Sequence, residues 1–197
     1  MNIPIKQLSG LERHALERHF LALGAGDRRL RFGTGMSDFA LRIYVKRIDF
    51  ENDAVFGVLD DELHLIGAAH LGRGEGHAEL GVSVLPGQRR RGIGGALLGR
   101  AHMHARNWGV RALFMHCLTE NAAMMALARK QGMDIVTEAG EADAWLKLPP
   151  ADASSYMGAV FQQRFALFDS ALKWQLAHAR RIADALKPGT ALRAQEK

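Results

Sequence analysis

With a single cysteine, Cys117, in 197 residues, the chain cannot be a disulfide-stapled scaffold, because a bridge needs two. Apolar runs are also short. Nowhere do eighteen apolar residues follow one another, and Met1 to Gly10 has no apolar stretch behind a basic one, so neither a spanning helix nor a secretory leader is read. These shortages lead us to expect a soluble, cytoplasmic protein in a reducing compartment. Aromatic residues make up only 7%. Acidic residues are missing from one long stretch: no Asp or Glu occurs between Glu79 and Glu120.

That gap explains the overall charge. The chain holds 26 Lys and Arg against 21 Asp and Glu, a net +5 with a pI near 9.7. Six of the basic residues, Arg89, Arg90, Arg91, Arg100, Arg106 and Arg111, lie in the acid-free stretch, leaving 20 basic against 21 acidic elsewhere. A generally cationic surface for DNA or membrane is therefore not indicated. Hydrophobic residues at 48% and charged ones at 24% exclude disorder, and the length suits one domain with an extension.

Ser9 is read as the cap of a first helix that runs through Leu16 and Phe20 to Gly24, and Ser37 as the cap of a second through Val45 and Ile48. Three strands follow at 54–59, 63–71 and 77–85, then a helix over 92–108, a strand over 110–118, a helix over 121–131 and strands at 133–138 and 142–148. The alternation predicts an α/β (α+β) fold, a mixed and mostly antiparallel sheet flanked by helices. Pro149-Pro150 marks a boundary between a domain at 1–149 and a helical extension at 150–197. In the extension Met157, Phe161, Phe165, Phe168, Leu172, Leu176, Ala179, Ile182 and Leu186 recur every three or four residues. This stripe is expected to pack on its own domain or on a sister subunit, the second case giving a homodimer. Asp169 and Asp184 interrupt its polar face, which argues against a membrane-surface helix.

The segment Val82-Ser83-Val84-Leu85-Pro86-Gly87-Gln88-Arg89-Arg90-Arg91-Gly92-Ile93-Gly94-Gly95 carries the chemistry. A strand ends, arginines and glycines follow, and an amphipathic helix begins. Unpaired N–H groups at a helix start attract anions, and glycine lets a ligand approach the backbone. A P-loop is excluded because no Gly-Lys-Ser/Thr is present. A dinucleotide site is excluded because no acid stands about 20 residues on. Nucleic acid is disfavoured because Arg89 to Arg91 lack interleaved aromatics. The remaining design is a coenzyme A pyrophosphate site.

Here the residues resemble the GNAT superfamily of acyl-CoA-dependent N-acyltransferases. Arg89-Arg90-Arg91-Gly92-Ile93-Gly94 matches the superfamily's Arg/Gln-x-x-Gly-x-Gly/Ala motif. Asn121, Leu127, Gly132 and Met133 match its second motif, with Ala128 where a tyrosine that protonates the leaving thiolate is usual. Asp27-Arg28-Arg29-Leu30-Arg31-Phe32 and His77-Ala78-Glu79-Leu80 are similar to segments of Pat-type bacterial protein lysine acetyltransferases. The resemblance implies acetyl-CoA as co-substrate and a primary amine, of protein lysine or a small molecule, as acceptor. It also implies oxyanion stabilisation from backbone N–H groups of Val82, Ser83 and Val84, pyrophosphate binding by Arg89 to Gly95, and a pantetheine contact from Asn121. A non-catalytic acyl-CoA-binding module is the alternative that Ala128 keeps open.

An amine of pKa about 10.4 is almost wholly protonated near neutral pH, so a general base is sought. Strand alternation puts Glu79, Gly81 and Ser83 on one face, and the small neighbours of Glu79 leave room for a substrate. The resemblance to Pat-type enzymes implies the base role for it. His116 is the second candidate, five residues before Asn121, where relatives that acetylate ribosomal-protein N-termini carry a glutamate. Cys117 reads as core. His102 and His104, two apart on a helix, make a poor metal pair, and no metal is expected.

Overall fold

The computed structural model describes residues 3–185, without the side chains of 153–155 and 181–185. Strands β1 (Lys6–Leu8), β2 (Ala54–Leu59), β3 (Leu65–Arg73), β4 (His77–Val84), β5 (Ala112–Leu118), β6 (Asp134–Glu138) and β7 (Glu141–Lys147) form one sheet ordered β1-β2-β3-β4-β5-β7-β6. Helices α1 (Arg13–Leu21), α2 (Ala25–Phe32), α3 (Asp38–Arg47), α4 (Ile93–Asn107), α5 (Ala122–Lys130) and α6 (Ala153–Ala185) flank it. The mixed sheet of the sequence reading is present. Two elements are additions: β1, and α2, which starts where a single helix was expected to stop. Gly24 ends nothing. Extended at φ −66 and ψ 163, it is the N-cap of α2, while α1 closes at Leu21.

Period-two alternation distributes the strands between two cores. Ala54, Phe56 and Val58 of β2 and Ala69 and Leu71 of β3 point to one face, where they meet Leu97, Leu98 and Ala101 of α4. Val55 and Ala68 point to the other, joined there by Leu65 because a register shift opposite Val58 and Leu59 breaks the alternation of β3, and they meet Leu16 and Phe20 of α1 and Leu41 and Val45 of α3. Gly67 permits the close crossing of α4, since a Cβ there would stand 2.6 Å from Ile93 Cγ2.

One joint of the sheet is parallel, and it is short. β4 pairs β5 only through His77, Ala78 and Glu79 with Ala112, Leu113 and Phe114, whereas β4 pairs β3 from Ala78 through Val84. From Leu80 onward the two parallel strands diverge. Helix α2 lies across the opening, in contact with both strands.

Helix α6 packs on α4 and β1 through its small and polar side. Ala166 is its buried residue among those described. Gly158 sits against Met103, the Arg100 guanidinium reaches Gln163 at 3.4 Å, and Lys173 Nζ donates to the Leu59 carbonyl at 2.9 Å. The apolar stripe therefore does not pack on its own domain: Met157 is 70% exposed, Phe161 67% and Phe168 70%. Ile182 and Leu186 lie outside the residues whose side chains are described. No helix among the described residues is long and apolar enough to cross a membrane.

Candidate active site

Two cavities meet where β4 and β5 diverge, and Arg31 of α2 lines both. The larger, of about 430 Å³, is walled by Val82, Ser83 and Val84 of β4 and by the loop and first turn of α4. Arg90 and Gly92 both have left-handed backbones, at φ 59 and 82, so the loop doubles back and turns into α4. Among the described residues no side chain caps that helix, and Gly92, Ile93, Gly94 and Gly95 of its start line the cavity, where the first amides of a helix are left without intrahelical partners. Met124 and Leu127 of α5 form the apolar opposite wall.

The expected phosphate-binding residues are thus brought together, with one exception. Arg89 and Arg90 line the cavity, but Arg91 does not, and its guanidinium bonds to Gln88 instead. Arg89 donates to the Val84 carbonyl at 3.1 Å and pairs with Asp27 of α2 at 2.7 Å, so part of its charge is already balanced.

Asn121 is on the wall too, yet both ends of its amide are engaged. Its oxygen caps α5 by accepting from Met124 N at 3.2 Å, and its nitrogen donates to the Leu30 carbonyl at 3.2 Å, tying α5 to α2. Ala128 is fully buried in the main core and is not among the residues that line the cavity.

The hydroxyl of Ser83 is held by His19 of α1. Burial pushes the His19 pKa down to about 4, so the ring is neutral. Its Nδ1 donates to the Leu65 carbonyl at 2.8 Å, and its Nε2, 2.8 Å from Ser83 Oγ, must then accept.

The smaller cavity, of about 270 Å³, holds Glu79, Gly81, His70, Tyr44 and His116. Glu79 is exposed on the face of β4 opposite the buried Leu80 and Val82, as alternation required. His116 on β5 is in the same cavity, with Nδ1 2.8 Å from Asp143 Oδ1. A relay the sequence did not reveal lines the remaining wall. Arg31 Nη2 donates to Tyr44 Oη at 3.3 Å, Tyr44 donates to His70 Nδ1 at 2.6 Å, and His70 Nε2 donates to Asp53 at 2.9 Å. The direction follows from the Asp53 end, because a carboxylate only accepts. Burial lowers the His70 pKa, partly offset by Asp53.

Cys117 is core, as expected: it is buried, its Sγ is 3.8 Å from Met125 Sδ, and burial, with Asp143 adding to it, raises its pKa. His104 packs edge-on against Phe56 and Trp108, and burial brings its pKa to about 4. Among the described residues no cluster of three or more His, Cys, Asp or Glu side chains could hold a metal.

Residues 16–133, more than half of the chain, match the acetyltransferase (GNAT) family, and the chain belongs to that family. Solved structures agree on the fold. The GNAT domain of S. lividans PAT is 17% identical over 75% of this chain and 95% of its own, with a TM-score of 0.64. The Escherichia coli ribosomal-protein-S18-alanine N-acetyltransferase is 19% identical over 76% and 94%, at 0.56. A Sinorhizobium meliloti phosphinothricin acetyltransferase, solved in complex with AcCoA, is 15% identical over 78% and 95%, at 0.59. No curated protein matches this sequence.

Proposed function

We propose that this protein transfers an acetyl group from acetyl-CoA to a primary amine by direct attack in a ternary complex. The observation that carries this reading is the meeting of two unlike cavities at the parting of β4 and β5. One is rimmed by an uncapped helix start and arginines; the other contains Glu79, a carboxylate with no ion pair among the described residues. The donor fits the first: Gly92 to Gly95 with Arg89 and Arg90 would hold the pyrophosphate, and Met124 and Leu127 the pantetheine arm. Val82 to Ser83 of β4, freed from β5, offers backbone donors for the thioester oxygen. Glu79 takes the proton from the attacking amine, the nitrogen bonds to the acetyl carbon, the carbon–sulfur bond breaks, and the thiolate departs. A thiol of pKa about 8.5 leaves without obligatory protonation. His116 stands second as base because Asp143 already engages its Nδ1.

The test is release of free thiol from acetyl-CoA with a panel of amines. Glu79→Gln is expected to lower kcat by about 10²- to 10⁴-fold with donor binding retained. Donor binding with no thiol release across the panel would favour a binding module instead, and full turnover in Glu79→Gln would remove Glu79 from the reaction.

The same reading divides the chain at Pro149-Pro150 and assigns the outward stripe of α6 to a second copy of this chain. The stripe residues Met157, Phe161, Phe165, Phe168, Leu172 and Leu176 are spaced by 4, 4, 3, 4 and 4, which reads alike from either end. An antiparallel copy therefore sets Phe165 beside Phe168, Phe161 beside Leu172, and Met157 beside Leu176, as a two-fold interface requires. At ~200 Å² per side chain and the observed exposures, the stripe presents roughly 700 Å², near the ~800 Å² per partner of a stable interface. A dimer mass by light scattering is expected, reverting to monomer in Phe161→Asp/Phe168→Asp. A monomeric wild type at micromolar concentration would refute it.

A further inference from the structure

Helix α2 carries three arginines, and the structure treats them differently. Arg28 spends its guanidinium on the carbonyls of Leu21, Leu23 and Met36 and on Asp38. Arg29 pairs with Glu120. Arg31 pairs with no carboxylate among the described residues. Its Nε is buried without a hydrogen-bond partner, and its one bond is the long one to Tyr44. The guanidinium lies 4.7 Å from the Phe32 ring centroid and 5.9 Å from that of Phe20, over Gly81, where any side chain would collide with it. Leaving a guanidinium half-buried and unmatched is costly.

The opposite charge is close but separate. Glu79 lines the same cavity and also has no partner among the described residues, yet no ion pair joins it to Arg31. Gly81 and Glu79 are two residues apart on one strand face, so the two charged ends are anchored on the order of 7 Å apart. The carboxylates next to this cavity are engaged by its lining histidines, Asp53 by His70 and Asp143 by His116.

We infer that the acceptor is a small α-amino acid, whose carboxylate is taken by Arg31 while its amine is presented to Glu79. An amino nitrogen and its carboxylate carbon are ~2.5 Å apart through Cα. Adding a charge-assisted hydrogen bond of ~2.8 Å at each end gives about 8 Å, which matches the span. The zwitterion pairs both unmatched charges at once. A cavity of about 270 Å³ suits one small molecule, and a protein lysine brings no carboxylate next to its amine.

This inference rests on the acetyltransferase reading, so its test includes a measurement that needs no turnover. The common amino acids are compared with the amines left when their carboxyl group is removed, both as acceptors for acetyl-CoA and as ligands titrated calorimetrically into the protein saturated with CoA. At least one amino acid is expected to bind and react ~10- to 100-fold better than its decarboxylated amine. Arg31→Gln should erase that preference by raising KM and Kd for the amino acid, with the amine little changed, and Arg31→Lys should restore part of it. Circular dichroism and melting of both variants verify folding. Equal loss for amino acid and amine in Arg31→Gln would overturn the inference and assign Arg31 to the thioester oxygen. Preference for lysine peptides or decarboxylated amines in the wild type would overturn it as well. Amino-acid binding that depends on Arg31 without thiol release would sustain the inference while sinking the transfer reaction.

Discussion

His19 should make this protein acid-sensitive in a defined window. Unfolded, the imidazole takes its proton near its ordinary 6.5; folded, burial delays protonation to about 4. Between these values the unfolded chain holds more protons, so stability is fully present above pH 6.5 and falls as pH drops toward 4. A gap of about 2.5 units at about 1.4 kcal/mol each gives about 3 kcal/mol lost through this residue. His19→Leu removes the titration but leaves Ser83 Oγ and the Leu65 carbonyl without their partner, at a cost of about 2 kcal/mol. Wild type should therefore exceed the variant by about 2 kcal/mol at pH 7, and the gap should close or reverse near pH 4. Urea unfolding of both proteins at pH 7, 5.5 and 4 measures it. His70, His102 and His104 are half-buried with lowered pKa values and act in the same direction, but they are common to both proteins and cancel in the comparison. Two parallel stability curves with a constant gap from pH 7 to 4 would refute the neutral, buried His19.

Two further substitutions separate support from binding. Gly92→Ala forces a side chain onto a left-handed backbone at φ 82, so thermal unfolding should show a loss of about 1 to 2 kcal/mol, with a raised KM for acetyl-CoA. Asn121→Ala removes a helix cap and the α2 tether, and should cost about 1 to 2 kcal/mol in urea unfolding while kcat at saturating substrates stays within a few-fold of wild type.

Much of the donor cavity was legible because it is contiguous in sequence. Val82 to Gly95 forms strand, loop and helix start, and backbone geometry alone brings its amides to one place. Within that run the arginines could not be ranked from sequence: only the fold shows Arg91 turned to Gln88 and Arg89 partly neutralised by Asp27. Helix α2 was harder to see. Eight residues with Gly24 before and Gly33 after read as a break, because three arginines on a short segment give little apolar periodicity. The helix is held by contacts to β4 and β5 that a local pattern does not contain.

The sequence by itself determined the alternation that exposes Glu79, the glycine-bearing helix start, the family resemblance and the amphipathic stripe, since each depends on residues near one another along the chain. Tertiary structure decided what depends on distant segments meeting. It turned the α6 stripe outward, because Gly158 and Ala166 let the small side of that helix approach the body. It bound Ser83 to His19 across 64 residues and built the Arg31, Tyr44, His70 and Asp53 relay from three elements and a loop. It also left one arginine of the three on α2 without a carboxylate partner among the described residues, near Glu79: each charge is plain in the sequence, but whether a partner reaches it is settled only by packing.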